Sequence, residues 1–214
     1  MVDASSGGGL GTVGIALVFT FVVTAVIFAT GHLSGAHINP AVTLAFWSVR
    51  RTPTSEAVAY VLAQCGGALC AALALRGMLG PVGSMGATLP RIAVAPAFMM
   101  EWLLSFVLMF VIMAAATDER AVGGHAALTV GLTVGFCALV GGPVTGASMN
   151  PARSFGPALI GDLWHQHWLY WAAPITAMIA AAQAYEFLRV TRTREVSASS
   201  PSAPSSGSWW RRSP

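Results

Sequence analysis

The stretch Ser34-Gly35-Ala36-His37-Ile38-Asn39-Pro40-Ala41-Val42-Thr43 decides the fold of this chain, because it occurs twice in related form. The second copy reads Thr145-Gly146-Ala147-Ser148-Met149-Asn150-Pro151-Ala152-Arg153-Ser154, and the two asparagines lie 150 − 39 = 111 residues apart. Two halves of similar plan are therefore expected. A repeated apolar segment interrupted by Gly and Pro is a typical sign of a central site in a membrane transporter or channel.

The composition indicates a membrane protein. Of the 214 residues, 9% are charged and 55% are hydrophobic, whereas a soluble domain carries about 25% charged residues. A helix needs about 20 residues to cross the hydrocarbon core. Five stretches of about that length or more carry at most one charged residue: 12–30, 57–75, 97–117, 121–152 and 163–185. The sequence predicts five spanning helices, at roughly 12–33, 56–76, 97–117, 124–142 and 166–188.

Two shorter apolar stretches, 39–49 and 150–160, cannot span and are predicted to be half-membrane helices. Pro40 and Pro151 suit the first position of a helix, where a missing N–H costs nothing. Asn39 and Asn150 would then cap the free N–H groups of the first turn. Broken helices at membrane depth are tolerated only inside protein or beside water, which indicates a pore.

The rest of the chain is predicted from its composition and charge. Residues 1–11 are rich in Gly and Ser and are expected to be flexible; half-repeats follow at about 12–80 and 96–188, and the basic Ser/Pro-rich tail 189–214 is expected to be disordered. All eleven basic residues are arginines, and those of the tail place the C-terminus in the cytoplasm. They do not indicate nucleic-acid binding. The three cysteines lie in apolar spans without paired spacing, so neither disulfides nor metal sites are expected.

The chain resembles the major intrinsic protein family, the aquaporins and glycerol facilitators. The two quoted stretches carry the resemblance, with support from Ala63-Gln64 and Glu101, and it covers about residues 14–188. It implies an all-α membrane protein built as an aquaporin-like inverted repeat with two half-membrane helices. It also implies a homotetramer in the lipid bilayer, as a multi-pass protein of the inner (plasma) membrane, that needs no cofactor and catalyses no reaction.

The resemblance also assigns roles to individual residues. It implies a central Asn-Pro-Ala pair at Asn39, Pro40, Ala41, Asn150, Pro151 and Ala152. The narrow constriction would be formed by Phe19, Ala138, Ala147 and Arg153, and the main chain lining the pore by Gly35, Ala36, His37, Gly146 and Ser148. Glu101 and Gln64 are expected to have structural roles. An arginine inside the membrane is costly and usually functional, which agrees with the role implied for Arg153.

The constriction and its flanks point to different solutes. Water-selective members of the family usually have histidine where Ala138 stands, so two alanines imply a wider and less polar opening. Glycerol facilitators typically have aspartate after the constriction arginine, where this chain has Ser154. We therefore expect a passive channel for water and other small uncharged solutes. The alternative is a facilitator of glycerol, ammonia, hydrogen peroxide or a metalloid hydroxide.

The chain departs from the family in one large respect. Members have six spans, and no span is predicted before residue 12, so the first helix and a counterpart of Glu101 are missing. A five-helix pore would have a gap in one wall. Either the reading frame begins upstream, or the protein is a variant that does not conduct.

Two further classes of protein remain as alternatives. A secondary transporter needs titratable groups near the midplane, and only Glu101 and Arg153 are embedded there. A membrane enzyme needs a nucleophile or a metal cluster, and neither arrangement is visible in the sequence.

Overall fold

The computed structural model describes residues 1–118 and 125–199, and these are helical and irregular without a strand. The helices are α1 (Val2–Ser5), α2 (Gly11–Ser34), α3 (Pro40–Ser48), α4 (Thr54–Leu79), α5 (Val94–Thr117), α6 (Ala126–Thr145), α7 (Pro151–Gly161) and α8 (Leu169–Ser199). A short 3-10 turn, Gly83–Gly86, lies between α4 and α5. All seven helices predicted from the sequence are present at their predicted places, and α1 is additional.

Four of the described helices, α2, α4, α5 and α6, are long and apolar enough to cross a membrane by length and composition. The fifth predicted span, 166–188, coincides with α8 from residue 169 onward, and α8 at 31 residues exceeds the required length. Helix α8 is less apolar than the other four because it carries Gln183, Glu186 and the arginines from Arg189 onward. The half-helices α3 and α7 have 9 and 11 residues and end far short of a full crossing.

Helices pack closely where small residues allow it. A Cβ at Gly131 or Gly135 of α6 would lie 1.9 Å from a threonine hydroxyl of α2, so these glycines let α2 and α6 approach. A Cβ at Gly156 of α7 would lie 2.4 Å from the carbonyl oxygen of Ala68 in α4. Such contacts between small residues are typical of helix pairs in membranes.

The core lies between α3, α5 and α8, since α5 packs against both α6 and α8, and α3 packs against α8. Met109, Met113 and Met178 are fully buried there. Many large apolar side chains on the outer faces are exposed, among them Phe21 and Leu62 at 66% and 69%. Exposed apolar surface on this scale marks contact with lipid or another protein.

Both ends of the chain differ from the sequence prediction. The segment expected to be flexible, 1–11, contains the helical turn α1, and Asp3 Oδ1 accepts hydrogen bonds from the N–H groups of Leu10 at 2.9 Å and Gly11 at 3.1 Å. The carboxylate thus ties the turn α1 to the start of α2. At the other end α8 continues to Ser199, eleven residues beyond the predicted end at 188. Residues 200–214 of the predicted tail lie outside the described part of the chain.

Candidate functional site: a passage between two half-helices

The two asparagines cap the half-helices as predicted. Asn39 and Asn150 have extended backbones at φ −152° and −148°, and a proline follows each at the first helical position. Asn39 Oδ1 accepts a hydrogen bond from the Ala41 N–H at 2.9 Å. Asn150 Oδ1 accepts from the N–H groups of Ala152 at 3.1 Å and Arg153 at 3.3 Å. Both amide oxygens are thus used within their own helix.

The amide nitrogens of the same two residues cross between the halves. Asn39 Nδ2 donates to the carbonyl oxygen of Met149 at 2.7 Å, and Asn150 Nδ2 donates to that of Ile38 at 2.9 Å. The N-termini of α3 and α7 therefore lie side by side. Each amide has two N–H donors, so one donor on each asparagine is left for a molecule in the passage.

The loops that precede the asparagines turn in the same way in both halves. Gly35 and Gly146 end α2 and α6 at φ 74° and 90°, and the following Ala36 and Ala147 also have positive φ, at 50° and 44°. An alanine in this conformation is strained. Both Gly-Ala pairs line the same cavity, so each turn brings its main chain to the cavity wall.

The second loop is held by a buried carboxylate. Glu101 on α5 is fully buried, and its Oε1 accepts hydrogen bonds from Thr145 Oγ1 at 2.6 Å and the Ser148 N–H at 2.9 Å. Its Oε2 accepts from the Met149 N–H at 2.9 Å. Three donors offset much of the cost of burying the carboxyl group.

The first loop is held by an amide instead. Gln64 Nε2 on α4 donates to the carbonyl oxygen of His37 and to Thr43 Oγ1, the latter at 3.0 Å. The His37 ring stacks on Phe46 with 4.7 Å between centroids and lies 5.1 Å from Tyr60. The imidazole of His37 thus packs between two aromatic rings. Within the described residues, no group of three His, Cys, Asp or Glu side chains lies close enough to hold a metal ion.

The four residues of the predicted constriction lie around one cavity of about 1250 Å³. Arg153 Cζ is 5.8 Å from the centre of the Phe19 ring, within the range of a cation–π contact. Arg153 Nη1 donates to the Gly86 carbonyl oxygen at 2.9 Å, which fixes the guanidinium beside the cavity. Ala138 and Ala147 are 9% and 8% exposed and complete the set.

The other predicted site residues divide into two groups. The cavity is also lined by Gly35, Ala36, His37, Asn39, Gly146, Ser148 and Asn150. Outside its lining lie Pro40, Ala41, Pro151 and Ala152, which are buried in the first turns of α3 and α7, together with Glu101 and Gln64 behind the loops.

The cavity is wider than a single-file passage because it continues along α2. Ile15, Val18 and Val22 line it and are 37%, 53% and 49% exposed. Leu75 of α4 lines it as well. Within the described residues the cavity therefore extends sideways along α2.

Sequence reasoning missed two contributors to the site. The Gly86 carbonyl that holds Arg153 belongs to the main chain, which leaves no trace in residue type. Thr88 contacts the second half-helix from 66 residues away through its hydroxyl, and a threonine in a loop carries no signal of such a contact.

Comparison with known proteins agrees with this geometry. The family model described as "Major intrinsic protein" matches residues 2–185. Nodulin-26 of Glycine max is 45% identical over 179 residues, which cover 83% of this chain and 66% of that protein. Aquaporin NIP1-1 of Oryza sativa subsp. japonica is 44% identical over 191 residues, with 89% and 67% covered. The chain thus spans about two thirds of the length of these relatives.

A solved structure shares the fold. The X-ray structure of the aquaglyceroporin from Plasmodium falciparum superposes with a TM-score of 0.72 at 23% identity, covering 82% of this chain and 81% of that one. At this identity the likeness concerns the fold alone. The fold, the crossed asparagine caps and the match over residues 2–185 lead to one conclusion: the chain belongs to the major intrinsic protein family.

Proposed function

We propose that the protein is a passive channel for water and small uncharged solutes. The observation that carries the proposal is the crossed pair of bonds from Asn39 and Asn150, which brings two helix N-termini to one point and leaves one N–H on each amide free. A passing hydroxyl or water oxygen gains a hydrogen bond at each. The relatives named aquaporin, and the structural neighbour named aquaglyceroporin, support this assignment.

Exclusion of ions and protons follows from charge. Each helix N-terminus carries about half a positive charge, and Arg153 adds a full one beside the same cavity. A cation, including a hydrated proton, is repelled in this low-dielectric setting, whereas a neutral molecule is not.

The proposed constriction favours a range of solutes over water alone. Two alanines, Ala138 and Ala147, line the same cavity as the bulky pair Phe19 and Arg153, and their methyl groups leave space and offer no donor. The apolar side of this opening suits the carbon face of a small polyol or amide. The second candidate, a facilitator of glycerol or a similar solute, rests on this observation.

The proposal includes a location and an assembly. We place the part of α8 up to about residue 188 as the fifth span and the arginines from Arg189 onward in the cytoplasm. The exposed apolar faces would lie against lipid of the plasma (inner) membrane or against copies of the same chain in a homotetramer. The positive-inside rule and the exposed apolar side chains support this arrangement.

Stopped-flow light scattering on proteoliposomes tests the function. Vesicles with the protein should shrink faster than protein-free vesicles in an impermeant osmolyte, and should recover in glycerol and in urea. A pH-sensitive dye inside the vesicles should report no added proton leak. Water and solute rates equal to those of protein-free vesicles would overturn the proposal, and fast recovery in glycerol with slow water flux would favour the facilitator.

A further inference from the structure

The segment from Gly86 to Arg91 reaches the second half of the passage at three points. The Gly86 carbonyl oxygen accepts from Arg153, and the Arg91 N–H donates to the Val144 carbonyl oxygen at 2.9 Å. Between them Thr88 is only 3% exposed, although it lies in a loop. A buried loop side chain with a polar group needs a partner.

Thr88 begins a chain of three buried hydroxyl groups. Thr88 Oγ1 lies 2.6 Å from Ser154 Oγ, which lies 2.5 Å from Ser148 Oγ. Ser148 Oγ donates to the Asn150 carbonyl oxygen at 2.9 Å and accepts from the Asn150 N–H at 3.3 Å. The chain thus joins an outer loop to one of the two asparagines.

The direction of these bonds follows from counting protons. Each hydroxyl has one proton to donate. With Ser148 giving its proton to the Asn150 carbonyl oxygen, the order that uses each proton once is Ser154 to Ser148 and Thr88 to Ser154. Tyr170, whose own hydroxyl donates to the Thr145 carbonyl oxygen, is a second hydrogen-bond partner of Thr88. Removal of the Thr88 hydroxyl therefore leaves Ser154 without its partner from the loop.

Thr88 also fits the turn that precedes Asn150. A Cβ at Gly146 would lie 3.0 to 3.2 Å from three atoms of Thr88, so the threonine rests directly on the glycine main chain. Thr88 therefore contacts both ends of the loop from Gly146 to Ser154, whose Ala147 and Ser148 line the cavity.

The first half of the molecule contains a similar hydrogen bond to its half-helix. Thr43 and Ser154 each stand four residues after their asparagine, and each receives a hydrogen bond from outside the half-helix. For Thr43 the donor is Gln64 Nε2, which also holds the His37 carbonyl oxygen. For Ser154 the donor is Thr88 Oγ1.

We propose that Thr88 is a positioning residue for the passage, the counterpart in the second half of Gln64 in the first. Acting through Ser154 and Ser148, it fixes the main chain ahead of Asn150 and so sets the width of the opening. The inference rests on the proposed channel function and adds a residue to it. Loosening this loop should admit larger solutes more readily.

The test is the ratio of glycerol to water permeability in proteoliposomes. Thr88→Val keeps the shape against Gly146 and removes the hydroxyl, so it should raise the ratio by up to about fivefold, because the loss of one net hydrogen bond shifts the conformational equilibrium of the loop by about that factor. Thr88→Ser should restore the wild-type ratio. Ser154→Ala should act like Thr88→Val, and the double variant should not exceed either single one because both break the same chain.

A matched control is Thr133→Val, which removes a hydroxyl bonded only to the Thr129 carbonyl oxygen of its own helix. A Thr88→Val ratio equal to that of wild type and of this control would overturn the inference. Amide hydrogen exchange separates the two proposals, since it needs no transport. If wild-type vesicles conduct neither solute, faster exchange at residues 147–150 in Thr88→Val still supports the positioning role, and unchanged exchange refutes it.

Discussion

Asn39 and Asn150 each perform two tasks with one side chain, and the proposed function gives them a third. The amide oxygen caps the helix, one amide N–H binds the opposite loop, and the other N–H is the donor that we propose for a passing solute. Aspartate would keep the cap but lose both donors, and serine would be too short to cross between the halves. Asparagine is therefore the side chain that this position requires.

Ala138 is the residue where selectivity should change most with one substitution. Ala138 lines the same cavity as Phe19 and Arg153. In the proposed constriction, Ala138→His would add a bulky imidazole, which should narrow the opening and supply a hydrogen-bond donor. We expect glycerol flux to fall more than water flux, measured by stopped-flow light scattering. Unchanged solute ratios would contradict the placement of Ala138 in the constriction.

Glu101 should matter for stability rather than for conduction alone. In Glu101→Gln one of the two carboxyl oxygens becomes an amide NH₂ group, which cannot accept a hydrogen bond. Because both oxygens accept from donors in the loop, at least one hydrogen bond is lost. We expect a loss of about 2 kcal/mol in the free energy of unfolding, seen as a lower melting temperature in detergent. The control Glu56→Gln, on the exposed first turn of α4, should cost less than about 0.5 kcal/mol.

At the scale of elements, the half-helices were the most predictable part of the molecule. Proline at the first position and asparagine before it fix where α3 and α7 begin, so the sequence prediction and the structure agree within a residue. The end of α8 was less predictable. Beyond Leu188 the chain has no apolar stripe that distinguishes a continuing helix from a polar tail, and the helix runs on to Ser199.

The contact between α7 and α4 depends on a glycine. Gly156→Ala would place a methyl group 2.4 Å from the Ala68 carbonyl oxygen, and main chain cannot yield as a side chain can. We expect a loss of about 2 kcal/mol in stability, measured by thermal unfolding in detergent.

Gly67 in α4 is the matched control for this substitution. Apart from its chain neighbours and the backbone of its own helix, no atom lies within 4 Å of a Cβ built there, so Gly67→Ala should be neutral or stabilise by up to about 1 kcal/mol. Equal melting temperatures for the two variants would show that the close approach of α7 and α4 carries no energetic weight.

At the scale of the whole molecule, the repeat predicted the two halves and their half-helices but not the loop contacts that hold the second half-helix. The repeat and the proline that follows each asparagine predicted the two helix caps, and the resemblance implied structural roles for Glu101 and Gln64. Gly86 and Thr88 could not be predicted, because their contacts depend on how a loop folds over a half-helix 66 or more residues away. The sideways extent of the cavity along α2 likewise depends on which helices flank it, which no single segment encodes.

The orientation in the membrane is testable with reporters. Arg51 Nε lies 2.8 Å from Glu186 Oε1, so the end of α3 and the second half of α8 share one end of the molecule, with arginines on both. We expect a fluorescent protein fused after Pro214 to fluoresce in the bacterial cytoplasm, and an alkaline phosphatase fused there to be inactive. The same phosphatase inserted after Gly80, beyond α4, should be active; the reverse pattern would refute the orientation.

The crossed amide bonds also set an order of assembly. The acceptor of Asn39 Nδ2 lies 110 residues further along the chain, so the first half leaves the ribosome long before that acceptor exists. Helix α3 can form early, but the hydrogen bond from Asn39 to the second half cannot. The N-termini of α3 and α7 can therefore associate only after both halves have been synthesised, and a defect in either half should disturb this contact.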